Sequence, residues 1–148
     1  MKEKEEFDKQ KSKVVKYIVY KKRTKQEVRN KFRTVIEENT LEDIISYLEE
    51  AGYLDDKEYI EKAIREFQIL NHLSMKEITY KLLGKGIDRQ ELEEYMIEHE
   101  EELIQYEIQS AKKLYDKKKQ QLEEQEIIQY LLRKGYRPEN IKQGMKQE

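Results

Sequence analysis

Ser74-Met75-Lys76-Glu77-Ile78, then Leu82, then Gly86-Ile87 is a pattern that the chain repeats, and the repetition sets its architecture. Glu123-Glu124-Gln125-Glu126-Ile127, Leu131 and Gly135-Tyr136 follow the same order 49 residues later. Thr24, Glu27, Val28 and Phe32 match Ser74, Glu77, Ile78 and Leu82 at an offset of 50, after which the first copy drifts, because no glycine stands near Ile36. Each copy reads as a helix with a written start and stop. Thr24 or Ser74 three residues before a glutamate is a capping box, in which hydroxyl and carboxylate each satisfy a backbone N–H. Gly52, Gly86 and Gly135, each followed by a large apolar residue, have the pattern of left-handed glycines that end helices. A period near 50 residues holding three such helices predicts tandem helical modules.

Outward from these copies, helical spacing persists and strand alternation is nearly absent. Val28, Phe32, Val35 and Ile36 form one apolar stripe. Leu41, Ile44, Ile45 and Leu48 form a second, and Ile60, Ala63, Ile64 and Phe67 a third. Leu92, Tyr95 and Met96 give a fourth, closed by the polar His99. Asp55 and Asp88 are acidic helix starts, Thr40 is the expected cap of a helix beginning near Leu41, and Pro138 suits the first turn of a last short helix. The boundaries predict about nine helices. They divide into a charged N-terminal tail at 1–8 and modules at 9–54, 55–100 and 101–148.

Composition agrees. Of 148 residues, 36% are hydrophobic and 42% charged, which suits an elongated all-α chain with a thin core better than one large globule. A net charge of −2, together with 11 Tyr on or near the apolar stripes, argues against a disordered chain. One Pro and 5 Gly leave little to interrupt helices. The absence of Cys excludes disulfides and thiolate metal sites and fits a reducing compartment. No apolar run has the length of a signal peptide or a membrane span, so the expectation is a soluble, cytoplasmic protein with no membrane partner.

The near-neutral balance hides segregated charge. Eleven Lys and Arg lie between Lys9 and Arg33 against one acid, Glu27. Glu91 to Glu107 has no Lys or Arg, and Lys112, Lys113, Lys117, Lys118 and Lys119 form a second basic block. Most such runs are solvated helix faces, but blocks of one sign make a charged partner more plausible than mixed charge would. An enzyme finds little support: His72 and His99 are far apart, Gly84-Lys85-Gly86 ends a helix where phosphate loops begin one, and Asp55-Asp56 reads as a helix start. No catalytic residue, metal site or cofactor is expected. Of the tyrosines, Tyr20 and Tyr115 are the ones expected to be exposed and able to contact a partner.

Four motifs in register resemble the RecX family. Arg23-Thr24-x-x-Glu27-Val28-x-x-Lys31-Phe32 is similar to its first-repeat helix, and Leu48-Glu49-Glu50-Ala51-Gly52-Tyr53-Leu54-Asp55-Asp56 to its most recognisable stretch. Leu82-Leu83-Gly84-Lys85-Gly86-Ile87 and Leu131-Leu132-Arg133-Lys134-Gly135-Tyr136 are similar to its later repeats. The chain departs from the pattern at Ile60, where alanine is common, and at Glu123, where Ser or Thr would cap. The resemblance implies a monomeric, curved array of three three-helix repeats. It also implies binding to the RecA–DNA filament, with suppression of ATP hydrolysis, strand exchange and co-protease action, in DNA repair, recombination and the SOS response.

Lys21, Lys22, Arg23, Lys25 and Arg29, with Lys112, Lys113 and Lys117, are the residues expected to face that partner; the same cations equally suit a solubilising role. Weak contact with single- or double-stranded DNA is a further expectation. Two rivals stand beside the regulator. One is a stand-alone DNA-binding protein using a helix–turn–helix at 32–48, though Glu42, Asp43, Glu49 and Glu50 would repel phosphate. The other is a helical adaptor for an unrelated protein.

Overall fold

The computed structural model describes residues 2–147. Those residues form nine helices and no strand: α1 (Lys2–Tyr20), α2 (Lys25–Phe32), α3 (Glu38–Glu50), α4 (Asp56–Leu70), α5 (Met75–Gly84), α6 (Arg89–Glu98), α7 (Glu100–Lys118), α8 (Glu124–Lys134) and α9 (Pro138–Lys146). The protein is all-α. It divides into two compact units, one of residues 1–60 with 85–87, the other of 61–84 with 88–148. The helix α1 starts at Lys2, so the charged segment before residue 9 is helical from there on.

In the first unit, α1, α2 and α3 close around Val14, Ile18, Val28, Phe32, Ile36, Leu41, Ile44, Ile45, Leu48 and Leu54. Tyr17 meets Phe32 edge-on at 5.6 Å between ring centres. Three of the four residues of the first predicted stripe are buried. Val35 is not: it is 68% exposed, because α2 ends at Phe32 and residues 33–35 make a turn that rotates it outward. The cap of α3 also differs from expectation. Glu37 is the N-cap, accepting from the N–H groups of Asn39 and Thr40 and from the Thr40 hydroxyl. Thr40 therefore lies inside the first turn, and the helix begins three residues before Leu41.

The second unit buries Ile64, Ile78, Leu82, Leu92, Leu103, Tyr106 and Ile108, with a further cluster of Ala111, Leu114, Ile127, Leu131, Tyr136 and Ile141. Tyr115 packs half-buried against that cluster, so it is not the exposed aromatic expected of it. Helix α9 lies close on α7, because Gly144 brings its backbone within reach of Ile108 and Ala111; a Cβ there would stand 2.8 Å from the Ile108 carbonyl. Below it, Ser110 and Tyr136 share a buried hydrogen bond of 2.6 Å.

Each unit contains a joint of the same construction. In the first, Thr24 accepts from the Glu27 N–H and Glu27 accepts from the Thr24 N–H, as a capping box. The Thr24 hydroxyl also donates to the Lys85 carbonyl at 2.6 Å, and the Asp56 carboxylate accepts from the Lys25 N–H at 3.0 Å. In the second, Ser74 and Glu77 form the box, the Ser74 hydroxyl donates to the Lys134 carbonyl at 2.6 Å, and Glu107 accepts from the Met75 N–H at 2.8 Å. Glycine completes both. Gly86 and Gly135 have φ of +87° and +101°, and a Cβ would collide with Gln26 in one and Lys76 in the other. A helix start buries its N–H groups only if acceptors reach them, and here an acid and a hydroxyl do so twice.

Glu107 carries more of its joint than Asp56 does of its own. It is 1% exposed and also accepts from the Arg137 N–H at 2.9 Å and from Asn140 at 3.0 Å. At Glu123, where a hydroxyl was expected, a glutamate caps α8 and its N–H donates to Glu126.

Candidate partner-binding surface

The structure places the predicted cations in two different settings. In the first unit, four of the five are engaged locally, three of them in ion pairs. Lys22 pairs with Glu58 at 2.7 Å, Lys25 with Glu49 at 2.9 Å, and the Arg29 fork holds both oxygens of Glu42 at 2.9 and 3.0 Å. The hydrogen bonds that Arg29 donates to Glu42 hold its guanidinium above its ordinary pKa, against the opposing effect of burial. The Arg23 guanidinium carbon lies over the Tyr17 ring, 4.1 Å from its centre, with Nε buried away from any acceptor. Lys21 is exposed. Local pairing lowers the field that Lys22, Lys25 and Arg29 present to a partner, while each half-exposed pair adds only about 0–1 kcal/mol of stability.

What the structure does bring together is a face of α1. Lys9, Lys13, Lys16 and Tyr20 recur at i, i+4, i+7 and i+11, all exposed, with Tyr20 at 86% and Val19 and Lys21 beside it. No acid occurs from Lys9 to Gln26. This combination of unopposed lysines and an outward aromatic is chemically suited to an anionic surface: the ammonium groups meet phosphate or carboxylate, and the ring stacks or packs. These lysines belong to the basic run between Lys9 and Arg33, and the helical spacing that aligns them is legible in the sequence. The arginine-containing positions of that run, at 23–29, are instead held by local contacts.

In the second unit, Lys112 and Lys119 flank Asp116 at 2.6 and 3.3 Å. Hydrogen bonding from Lys112 and then Lys119 holds the Asp116 carboxyl below the usual aspartate range. Lys113 donates to the Leu70 carbonyl at 3.3 Å, Lys118 lies 4.3 Å over the Tyr130 ring, and Lys117 is exposed. Lys112 is thus tied to its own helix, and Lys113 and Lys117 keep outward charge. The acidic stretch from Glu91 is mostly solvated, with His99 stacked on Tyr95 at 4.2 Å and 3.6 Å from Glu102. Glu107 is its buried exception. Among the described residues, no group of three or more His, Asp or Glu side chains could hold a metal ion.

The second unit also carries two grooves. One, of about 330 Å³, runs between Met75, Met96, Ile97, Leu103 and Ile104, with Glu93, Glu100 and Arg137 at its rim. The other, of about 510 Å³, is lined by Tyr115, Ile128, Leu132, Ile141 and Met145, with Glu124, Lys142 and Lys146 at its edge.

Comparison with known proteins follows this architecture. No family model matches the chain. The Regulatory protein RecX of Staphylococcus carnosus (strain TM300) is 31% identical over 137 residues, covering 88% of this chain and 51% of that protein. Those of Bacillus mycoides (strain KBAB4) and Bacillus cereus (strain B4264) are 29% and 30% identical, over 89% and 93% of this chain and 51% and 53% of theirs. The chain therefore spans about half the length of the curated relatives it matches. Among solved structures, the crystal structure of RecX from Lactobacillus salivarius superposes with a TM-score of 0.79 at 26% identity, over 95% of both chains. A crystal structure of regulatory protein RecX gives 0.77 at 22% identity, over 95% of this chain and 73% of that one, a likeness of fold.

Proposed function

Because the chain belongs to the RecX family, we propose that it regulates the RecA recombinase by binding the RecA–DNA filament and mainly inhibiting its ATPase, strand exchange and co-protease activities. The observation that carries this reading is the match, over nearly the whole chain, to proteins named as RecX regulators. In this reading the protein is a binding protein and not an enzyme. It works in the cytoplasm, in DNA repair, recombination and the SOS response. The two joints of equal construction support an organisation into modules at 9–54, 55–100 and 101–148. Several weak contacts on tethered modules add through effective concentration, so no single patch need bind tightly.

The basic face of α1 supports the charge side of the proposal. An assembled RecA–DNA filament offers phosphate and acidic protein surface, and Lys9, Lys13, Lys16 and Tyr20 meet both kinds of anion. Lys21, Lys113 and Lys117 extend the set with exposed charge, whereas Lys22, Arg23, Lys25, Arg29 and Lys112 would act after exchanging their present contacts. No helix of the described residues is long and apolar enough to cross a membrane.

The deciding experiment is RecA ATPase on single-stranded DNA, titrated with this protein. The expected result is saturable inhibition; an ATPase rate indifferent to the protein at every ratio overturns the reading. The α1 face favours one second reading, direct binding to bare DNA. Binding without RecA across a salt series separates the two, since affinity for phosphate alone falls steeply with salt.

A further inference from the structure

Glu107 fixes the shape of one groove in the second unit. It accepts from the Met75 N–H at 2.8 Å, the Arg137 N–H at 2.9 Å and the Asn140 amide at 3.0 Å, which ties the starts of α5 and α9 to α7. Met75, Arg137 and Asn140 then line the groove of about 330 Å³ together with Met96, Ile97 and Ile104. Its walls α5, α6 and α7 are interior helices, with described helices before and after them.

The lining is apolar and open to water. Ile97 is 73% exposed, and the two methionines near it make a wall that adapts to the side chains it meets. The rim is acidic. Glu93 and Glu100 stand there, both exposed, and Glu94, Glu98 and Glu101 are exposed on the same stretch, which has no Lys or Arg from Glu91 to Glu107. Such a field repels nucleic acid and attracts a cationic protein segment. The conformation of that segment follows from the walls. An added strand needs a free sheet edge, and the described residues form no strand. A proline-rich segment needs an aromatic-lined groove, and none of the described residues lining this one is aromatic. An amphipathic helix needs an apolar trough for anchors at i, i+3 or i+4 and i+7, with opposite charge along its edge, and both are present.

We propose that this groove docks an amphipathic helix of a partner protein, with its aliphatic anchors among Met75, Met96, Ile97 and Ile104 and its lysines or arginines against Glu93 and Glu100. The inference does not depend on which protein the chain regulates.

The probe is a synthetic peptide of about 15 residues, long enough to form a helix, with leucine at helical spacing and lysine elsewhere. Its binding to the full chain is followed by the NMR signals of the methionine methyl groups at about 0.15 M salt, where distant charges are screened. Saturable binding is expected to shift Met75 and Met96 and to leave Met145, which lines the other groove beside Lys142 and Lys146, in place. Glu93→Lys with Glu100→Lys weakens binding by about tenfold or more, since like charges then face each other. Asp43→Lys with Glu50→Lys, the same change of net charge made on α3, leaves it within about twofold. Ile97→Asp adds an acid and still weakens binding by about fivefold or more, because an aliphatic contact is lost. Circular dichroism confirms that each variant is folded. A lysine peptide that fails to bind overturns the proposal, as does one that binds every variant equally or shifts Met145 and not Met96. Equal binding of the counterpart with glutamate in place of lysine also overturns it. So do Met96 signals that move with protein concentration before peptide is added, which would make a second copy the occupant.

Discussion

Glu107 is a buried carboxylate on which three backbone or amide donors converge. Removing it strands the N–H groups of Met75 and Arg137 and the Asn140 amide, and each unsatisfied buried donor costs about 1–3 kcal/mol. Glu107→Ala is therefore expected to destabilise the second unit by about 3 kcal/mol or more, read from urea unfolding followed by circular dichroism, while exposed Glu101→Ala leaves the midpoint within about 0.5 kcal/mol. Asp56 gives a pH signature. Burial pushes its carboxyl above the usual aspartate value, with the Lys25 N–H opposing. The folded protein thus holds that proton more tightly than the unfolded chain does. Its contribution to stability falls as pH rises from the ordinary aspartate range through the raised folded value, and is flat above it. Urea midpoints of Asp56→Asn, measured over that range, are expected to gain on wild type as pH rises and then run parallel. A constant difference at all pH values would contradict this.

Asp56 was legible as part of a helix start and Glu107 only as the last acid of an acidic stretch; neither was legible as the acceptor of a distant helix start, because its partner there is a backbone N–H, which leaves no mark in the sequence of side chains. The local bonds were legible: Thr24 with Glu27 and Ser74 with Glu77 are separated by three residues, and the hydroxyl–carboxylate exchange needs nothing else.

At the scale of elements, starts and stops carried most of the reading. Gly52, Gly86 and Gly135 do take positive φ, and Pro138 does open α9. The misreading at α3 has a physical reason. A threonine is the commoner cap, but Glu37 reaches three donors at once with its two oxygens, which a single hydroxyl cannot. Glu37→Ala is expected to destabilise the first unit, and by more than Thr40→Ala, in the same unfolding measurement. Val35 shows the other limit, since a helical stripe predicts burial only while the helix continues. Packing of α9 on α7 gives a sharper test. Gly144→Ala should stabilise an isolated helix by about 1 kcal/mol. Here its Cβ meets backbone at Ile108 and Lys112, which cannot yield as a flexible side chain would, and overpacking of this kind costs about 1–3 kcal/mol. The close approach is expected to win, lowering the unfolding midpoint.

For the molecule as a whole, charge placement is the property most exposed to test. Reversing Lys9, Lys13 and Lys16 together to Glu removes the outward face of α1 without breaking a local pair of the first unit. Inhibition of RecA ATPase is expected to weaken by about tenfold or more, with unfolding unchanged. Reversing Arg23, Lys25 and Arg29 instead also severs the Lys25–Glu49 and Arg29–Glu42 pairs, so a loss of inhibition there would come with a loss of stability. Equal inhibition by the first triple variant and wild type would remove α1 from the proposed interface.

The duplicated joint binds a neighbour through main-chain groups, with only a hydroxyl, an acid and a glycine required to keep their places. Everything around that trio is at liberty to diverge. Segments cut at 24 and 74 are for that reason interchangeable parts: one grafted in for another keeps its latch whatever its outward surface has become, and a lineage can lengthen, shorten or re-clothe such a protein without having to reinvent how its pieces hold on to each other.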